Sequence, residues 1–386
     1  MIRRLFLRKP ETETLLPANV DVDAENTRVE VASQWQLMWW KFKRHKVAMI
    51  GGIVVGLYYL TALLANFVAP SHFTTYNEQY VNAPPQTIRL FRDGAFAPYV
   101  NGYKFERDPK SFKKTWALDT SVTIPVGFFV RGESYRLLGI VPGDIHLIGP
   151  AKTGDPFYLL GTDKSGRDVF SRIIFSSQIS LTVGLIGVAI SLILGILIGG
   201  VSALAGPGVD NVIQRMIEVL ISIPTIPLWL ALAAVVPIYW TPVQVYFMIT
   251  VILSLVGWTG MARVVRSRFL ALREEDFILA ATLDGVPRGR MIMRHMIPSF
   301  LSHIIASVTL SIPWMILGET ALSFLGLGLR EPVVSWGVML RETQKVGVLA
   351  SFPWLLYPAV AVIVVVLALN FLGDGLRDAA DPYQTR

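Results

Sequence analysis

Long uncharged runs of apolar residues are the main feature of the pattern along this chain. A helix that crosses a bilayer needs about 20 predominantly apolar residues, and five uncharged stretches reach that length. One of them, from Val219 to Ala262, is too long for a single helix, and its central segment from Pro237 to Pro242 predicts a turn. The pattern therefore predicts an all-α integral membrane protein with six spans, at residues 47–68, 181–205, 212–236, 243–265, 299–321 and 353–373.

The composition supports membrane insertion. Hydrophobic residues make up 53% of the 386 residues and charged residues only 16%, against about 25% in soluble globular domains. The net charge of +7 reflects Lys and Arg clusters at 41–46 and 263–294, and such residues are enriched in short cytoplasmic loops. Both clusters lie on one side in the six-span topology. We therefore expect both termini in the cytoplasm, and no nucleic-acid partner is needed to explain the charge.

The chain lacks cysteine and a signal-peptide pattern, and each absence excludes some kinds of site or segment. The chain contains no cysteine, which excludes disulfides and cysteine-based zinc or redox sites. The first apolar run begins too far from Met1, with no small-residue cleavage pattern soon after it, to be a removable signal peptide. We expect this run to be a retained signal anchor.

The segments outside the spans differ in character. Residues 30–46 mix tryptophans with lysines, which is typical of a helix at the membrane surface; the alternative is a simple cytoplasmic end of the first span. Residues 70–172 are richer in Pro and polar residues and contain short β-prone runs, which predicts a small strand-containing extracytoplasmic insert. The predicted divisions are a tail and interfacial helix at 1–46, the first span at 47–69, the insert at 70–172, a core of five spans at 173–380 with a cytoplasmic loop at 267–298, and a C-terminal tail at 381–386.

The loop between the fourth and fifth predicted spans alternates helix formers and breakers. Three acidic residues, Glu274 to Asp276, favour the start of a helix through its macrodipole. Gly285 followed by Pro287 supplies a stop. The loop thus predicts a short helix near 275–284 that presents a docking surface, or, on composition alone, an ordinary positively charged surface loop.

The order of residues in this loop resembles the pattern of ABC importer permeases, Glu-Ala-Ala, three residues, Gly, nine residues, then Ile-x-Leu-Pro. Four positions match, and the departures are Leu279, His295 and Ile297 in place of Glu, Ile and Leu. The resemblance implies that 275–285 is a coupling helix that fits a groove of an ATPase subunit. The candidate coupling residues are Glu274, Glu275, Asp276, Ala280, Ala281, Asp284, Gly285, Arg294 and Pro298.

Three more segments follow in the order of that family. The segment Leu160 to Arg172 resembles the Leu-Gly-Thr-Asp-x-x-Gly-Arg-Asp motif of dipeptide and oligopeptide permeases of the C type. Glu319 to Leu329, followed by Ser335 to Gly337, and Asn370 to Pro382 also match in order. The first motif could contact solute, although a capped turn leading into a helix is the favoured interpretation, since Asp and Ser cap helices well. Its candidate residues are Gly161, Thr162, Asp163, Gly166, Arg167 and Asp168.

Polar residues in or near the spans are further candidates. Intramembrane acids suggest functional sites, so Glu218, Glu319 and Ser323 are candidates for a pathway or gate, although Glu218 has Arg215 at helical spacing and both acids lie near predicted span ends. Past the sixth span, the candidate motif residues are Asn370, Asp374, Arg377 and Asp378. The last three are spaced for ion pairs on a helix, and a salt-bridged helix end is the favoured interpretation.

The resemblance also implies a function. It implies the type I ABC importer permease fold, in a bacterial inner (plasma) membrane, with this chain forming half of a translocation pathway for peptides or similar small solutes by alternating access. The implied partners are a related permease subunit of the B type, two ABC ATPase subunits that bind ATP and Mg, an extracytoplasmic solute-binding protein, and membrane lipid. Peptide, opine and oligosaccharide importers share this pattern, so the solute stays open.

Rival functions receive less support from the residues. The chain has no Gly-x-x-x-x-Gly-Lys-Ser/Thr phosphate loop, His-Glu-x-x-His zinc motif or Gly-x-Ser-x-Gly motif, so we expect no catalytic residues, no metal site and no ATP hydrolysis by this chain itself. The main alternative is an ATP-independent secondary transporter or channel. Such proteins place unpaired charge near the membrane midplane, and the cores of the predicted spans lack carboxylates.

Overall fold

The computed structural model describes residues 34–92, 94–107 and 114–380. Residues 1–33 of the predicted tail and interfacial helix, and the tail predicted at 381–386, lie outside the described residues. The described part is mostly helical and contains one small antiparallel sheet. Its α-helices are α1 (Gln34–Arg44), α2 (Lys46–Leu63), α3 (Ala65–Val68), α4 (Val169–Leu204), α5 (Pro207–Ser222), α6 (Thr225–Ala234), α7 (Pro242–Leu272), α8 (Asp276–Leu283), α9 (Arg288–Met291), α10 (Ile297–Ser299), α11 (Leu301–Phe324), α12 (Trp336–Leu340), α13 (Val346–Ser351) and α14 (Tyr357–Ala380).

Five helical segments in the described residues are long and apolar enough to cross a membrane: α2, α4, α7, α11 and the segment 353–380 that contains α14. The span predicted at 212–236 is not one straight helix, because α5 and α6 meet at an angle of 87°. Pro224 explains the break. Proline restricts the residue before it to extended backbone, and Ile223 has φ −84° and ψ 127°. A charge-free run cannot reveal this bend.

Close packing of α4 against α7 depends on glycine. A Cβ atom on Gly199 would lie 2.5 Å from the carbonyl oxygen of Ala262, and one on Gly195 would lie 2.6 Å from the Met261 side chain. Small residues let membrane helices approach closely, so these glycines form the contact surface between the two longest helices. Asp210 on α5 adds an ion pair with Arg266 on α7.

The two apolar cores with the most buried residues lie along these helices. The larger core joins α2, α4, α7, α11 and α14 through residues such as Leu181, Leu253, Ile316 and Val365. The second core holds Phe269, Met296 and Phe300 at the end of α7 and the start of α11. Ile278 of α8 is only 1% exposed within this second core. The short helix is therefore anchored to the ends of the long ones.

The segment between α3 and α4 folds into a four-stranded antiparallel sheet. Its strands are β1 (Arg89–Arg92), β2 (Ala95–Arg107), β3 (Lys114–Leu137) and β4 (Val141–Pro150), paired in the order β1-β2-β3-β4. The long strand β3 pairs with β2 in its first half and with β4 in its second half, for example Tyr99 with Pro125 and Phe128 with Ile148. The strands predicted from β-prone runs are thus present, and they form one sheet.

The chain enters the sheet and leaves it at residues that lie side by side. The Gln86 amide N donates to the Tyr158 carbonyl at 3.0 Å, and the Tyr158 amide N donates to Gln86 Oε1 at 2.6 Å. Trp116 Nε1 of β3 donates to the Val81 carbonyl at 2.9 Å. These bonds hold the base of the sheet against the segment that leads into α4.

Candidate functional site

A cluster of four charged side chains lies at the start of α4. Arg167 donates from Nε to Asp163 Oδ2 and from a terminal nitrogen to Glu331 Oε1, both at 2.7 Å. Arg172 also binds Asp163, and its other terminal nitrogen lies 3.2 Å from Glu331 Oε1. The Asp163 and Arg172 side chains are only 3% and 4% exposed. The cluster ties the segment before α4 to the loop between α11 and α12.

The backbone around this cluster explains the glycines of the motif. Asp163 Oδ1 accepts hydrogen bonds from the amides of Ser165 at 2.8 Å and Arg167 at 3.0 Å, which closes a tight turn. Gly166, in that turn, has φ +76°, and a Cβ there would collide with the Asn77 carbonyl. Gly161 has φ +77°, and its Cβ would lie 2.7 Å from the Ala83 carbonyl oxygen. Only glycine fits both positions without strain.

The remaining motif residues secure the entry to α4. Thr162 is fully buried and donates to the Tyr80 carbonyl, while accepting from the Ala83 amide at 2.8 Å. Asp168 is the N-cap, and its Oδ2 accepts from the Ser171 amide at 2.8 Å and the Ser171 hydroxyl at 2.6 Å. The structure therefore places this motif in a turn and a helix cap.

Burial raises the pKa of both Asp168 and Glu331, but their neighbours compensate it to different extents. Burial raises the pKa of Asp168 to about 6, although its hydrogen bonds from Ser171 and Phe170 act in the opposite direction. For Glu331, burial also raises the pKa, but the hydrogen bond and charge of Arg167, with Arg172, outweigh it and hold the pKa below its ordinary value. Within the part of the chain that the structure describes, Glu331 has two arginine partners and Asp168 has no ion pair.

Glu319 is the centre of a second buried polar cluster. It is 0% exposed, and its Oε1 accepts from the hydroxyls of Ser323 and Ser335, both at 2.7 Å. Ser180 of α4 donates to its Oε2 at 3.3 Å. All three serines in turn accept from backbone amides: Ser180 from that of Trp336 at 3.3 Å, Ser323 from that of Leu329 at 3.0 Å and Ser335 from that of Val338 at 3.2 Å. One carboxylate therefore organises α4, α11, the loop after α11 and α12.

This placement changes the interpretation of Glu319 as a pathway residue. The sequence places it near the end of a span, where charge costs less, whereas the structure encloses it completely. All three hydroxyls point at the carboxylate, and no ion pair to Glu319 is found within the described residues. In this conformation Glu319 does not line an accessible path. Ser323, the other candidate on α11, is also 0% exposed.

The predicted loop helix forms as α8. Glu275 is its N-cap, Asp284 its C-cap, and Gly285 follows with φ +72°, a conformation that favours glycine. Ala281 is 8% exposed and faces the protein with Ile278, while Ala280 is exposed. Large apolar side chains point away from the body: Phe277, Leu279 and Leu283 are 46%, 49% and 88% exposed.

The other loop residues surround α8. Glu274 and Asp276 are exposed at its start. Arg294 lies in a π-helical turn at Ile292–Met296, and Pro298 lies in α10 at the entry to α11. The loop candidates are therefore brought together around one short helix that stands on the second apolar core.

The remaining candidates lie apart from these clusters. Glu218 on α5 is half-exposed and pairs with Arg215 at 2.7 Å, at the spacing that the sequence suggests. At the end of α14, Asp374, Arg377 and Asp378 are exposed and Asn370 is half-buried. Among the described residues, no ion pair joins Arg377 to either aspartate, and Asp378 lies 3.9 Å from His45 Nε2 instead. The salt-bridged helix end that the spacing predicts is therefore not formed there.

Several residues of the two clusters had not been identified from the sequence. Glu331, Arg172, Ser180 and Ser335 complete them, and each contacts a residue of its cluster that lies 16 to 164 residues away along the chain. Local spacing carries no signal for such pairs. The family motifs were the signal that could have identified two of them. Arg172 ends the motif that begins at Leu160, and Ser335 begins the segment that follows the motif at Glu319.

Comparison with known proteins identifies the class. Residues 162–386 match the family described as "Binding-protein-dependent transport system inner membrane component", and these residues contain both buried clusters and α8. The chain belongs to this family of ABC transporter permeases and is a multi-pass inner membrane protein. Residues 33–85 match a second family, "N-terminal TM domain of oligopeptide transport permease C". Within the class, the chain therefore belongs with the oligopeptide and dipeptide permeases of the C type.

Individual relatives agree with this assignment. The oligopeptide transport system permease protein OppC of Haemophilus influenzae is 37% identical over 240 residues, covering 62% of this chain and 75% of that protein. The dipeptide transport system permease protein DppC of Alkalihalophilus pseudofirmus is 39% identical over 223 residues, covering 58% and 71%. A solved chain of the MetNI methionine ABC transporter, in an inward-facing conformation, covers 55% of this chain and 97% of its own length, with 16% identity and a TM-score of 0.43.

Proposed function

We propose that this chain forms one half of a peptide translocation pathway, paired with a related permease of the B type. The names of its relatives, which are oligopeptide and dipeptide permeases, support peptides as the solute. A solute-binding protein delivers the peptide, and two ATPase subunits bind ATP and Mg. The chain itself is non-catalytic and moves between inward-facing and outward-facing states in the type I permease fold.

The exposed apolar face of α8 is the observation that supports ATPase docking most directly. Leu283 is 88% exposed although it is a large apolar residue, and burying such a side chain in a contact contributes about 1.5–3 kcal/mol. The same helix is held from behind by buried Ile278. A push on α8 would therefore reach the second apolar core, from which α7 and α11 continue into the membrane.

The departure at Leu279 fits this arrangement. ABC importer permeases resembling this chain have Glu at that position of the loop, whereas Leu279 is 49% exposed beside Leu283, one helical turn away. An exposed Leu pair offers an apolar contact in place of a polar one. We infer that the ATPase subunit meets this position with an apolar groove.

Substitution of Leu283 by aspartate tests the docking proposal. We expect Leu283→Asp to weaken ATPase association by about tenfold or more, because a charge would enter an apolar contact, and to reduce peptide uptake in proportion. Copurification of the ATPase and uptake of a labelled peptide measure the two effects. Val346→Asp is the matched control, since Val346 is 79% exposed and lies on α13. Normal association and uptake by Leu283→Asp would contradict the proposal.

The proposed topology has six crossings, with α5 and α6 together forming one of them and both termini in the cytoplasm. The basic residues around α8 and before α2 support this orientation. A reporter inserted near residue 120 should then be active outside the cytoplasm, and one near residue 286 inside it. The reverse pattern would overturn the orientation.

An ATP-independent transporter is the less supported alternative. It would need an accessible buried charge, and Glu319 is the fully enclosed carboxylate that comes closest to this requirement. The serine hydroxyls around Glu319 occupy its oxygens. Family membership and the α8 surface both favour the ATP-driven importer.

A further inference from the structure

The hairpin of β3 and β4 exposes an unusual number of large apolar side chains. Phe128 and Phe129 are 59% and 66% exposed, and Leu138 and Ile140 at the tip are 60% and 80% exposed. Hydrophobic residues scattered singly on a surface are ordinary, whereas a group on one element indicates a contact. Both family matches omit the residues between 85 and 162. The hairpin is therefore an addition to the shared permease body.

The backbone of this hairpin adds a second observation. Phe129 has φ +56° and Leu138 has φ +52°. Bulky residues rarely adopt this left-handed conformation. Phe129 lies within β3, whereas Leu138 lies in the turn between β3 and β4, where hairpins usually place Gly, Asn or Asp. Folding of the turn alone would favour those residues over leucine. The presence of Leu138 thus suggests that its apolar side chain serves a purpose outside the fold.

Contacts with the end of the first span fix the position of the hairpin. The rings of Phe129 and Phe67 lie 6.1 Å apart. Nδ1 of His146 in β4 lies 2.6 Å from the Ala69 carbonyl oxygen, and the His72 amide donates to Glu133 Oε2 at 2.9 Å. The hairpin is therefore held beside the point at which the chain leaves the membrane.

The lipid-facing stripe of the first span leads directly to this hairpin. Ile53, Leu57 and Leu60 are 59%, 55% and 50% exposed and share one face of α2 at spacings of four and three residues. α2 ends at Leu63, and Phe67 lies in the short helix α3 that follows it. Because the Phe129 ring packs on the Phe67 ring, the apolar side chains of the hairpin begin next to the end of this span.

We propose that this hairpin is a lipid anchor. Phe129, Leu138 and Ile140 enter the interfacial region of the leaflet that the end of α3 reaches, and the exposed Arg131 and Arg136 meet the phosphates of the headgroups. Aromatic and basic residues are typical of this depth. The proposal concerns the membrane alone, so it holds whatever solute the transporter carries.

Site-directed spin labelling tests the anchor in the assembled transporter in liposomes. The chain has no cysteine, so each introduced cysteine is its single labelling site, and the unsubstituted assembly gives the background from the partner subunits. Oxygen concentrates in the bilayer, whereas the chelate Ni-EDDA stays in water. We expect the nitroxide on Ile140→Cys to collide more often with oxygen than with Ni-EDDA, in the same sense as one on Ile53→Cys within the span.

Val122→Cys is the matched control on the same strand. Val122 is 49% exposed and lies 16 residues before Leu138 along β3, so we expect its nitroxide to collide mainly with Ni-EDDA. Preferential collision with Ni-EDDA at Ile140→Cys would overturn the proposal. So would a nitroxide at Ile140→Cys that is water-exposed and becomes immobilised only when the solute-binding protein is added, because the hairpin would then be a protein-docking surface.

Discussion

At the residue scale, the two buried clusters compensate their charges in different ways. Asp163 is matched by two arginines that share Glu331, so formal charge is balanced inside the cluster. Among the described residues, Glu319 is matched by hydroxyl donors from three serines and by no cation. A buried carboxylate is costly unless its oxygens are fully hydrogen-bonded. The serine hydroxyls therefore offset the free-energy cost of burying Glu319. Glu319 in turn holds together the segments that carry these serines.

Substitution of Glu319 separates these two roles. We expect Glu319→Ala to lower the free energy of unfolding by roughly 2–5 kcal/mol, because buried hydroxyls lose their acceptor. Glu319→Gln retains an acceptor oxygen for Ser323 and Ser335 and should stay within about 1 kcal/mol of the parent. Thermal melting of the detergent-solubilised protein measures both. Equal destabilisation by the two variants would show that the negative charge itself is required.

The cap residue Asp168 gives a pH-dependent prediction. Its pKa is raised from 3.8 to about 6, so the folded state binds more protons than the unfolded state between these values, and stability falls as pH rises from about 4 to about 6. The difference corresponds to roughly 3 kcal/mol. Asp168→Asn keeps a capping oxygen but never ionises. Its melting temperature relative to the parent should therefore rise across this pH interval, and a constant difference would contradict the assignment.

At the element scale, the spans illustrate what a sequence pattern can and cannot predict. Uncharged runs located the apolar helices, because lipid demands such runs whatever the fold. They did not show that α4 begins at Val169, well before its apolar stretch, since Asp168 and the turn before it determine that start. They also missed the bend at Pro224. The short helix α8 was predictable because the acidic residues at its start and the glycine after its end are local signals.

The same limit applies to the candidate site. The residues of the motif from Gly161 to Asp168 could be found by resemblance, and their turn by the capping preference of Asp. Their partner Glu331 could not, because the contact joins segments 164 residues apart. Tertiary contacts of this kind need the packing of α4 against α11 to be known first.

The crossing of α4 and α7 provides a test at this scale. Gly199→Ala would place a methyl group 2.5 Å from the Ala262 carbonyl oxygen, so we expect a loss of roughly 1–3 kcal/mol of stability. Gly260→Ala, on α7, meets nothing within 4 Å and should be neutral or slightly stabilising. Melting temperature and yield of folded protein report the outcome. Equal behaviour of the two variants would refute glycine packing at this crossing.

At the scale of the whole molecule, the sheet and the helical body are joined through neighbouring residues. Gln86 and Tyr158 are paired through their backbone, so the ends of the intervening segment lie side by side. We expect replacement of residues 87–157 by a short glycine linker to leave the spans folded, with ATPase association retained, because loop closure between adjacent ends costs little. Copurification with the ATPase and the melting temperature check this outcome. Loss of assembly would show that the sheet is part of the permease core.

The lengths of α4 and α7 have a mechanical consequence. With 36 and 31 residues, these helices measure about 54 and 47 Å, well beyond the roughly 30 Å of the hydrocarbon core. Each helix therefore extends out of the bilayer, and the glycine contacts pack the two helices closely against each other. Rotating such a helix by about 6° about one end displaces the other end by about 5 Å, roughly one turn of helix. A small tilt at one membrane face thus becomes a movement of side-chain size at the other.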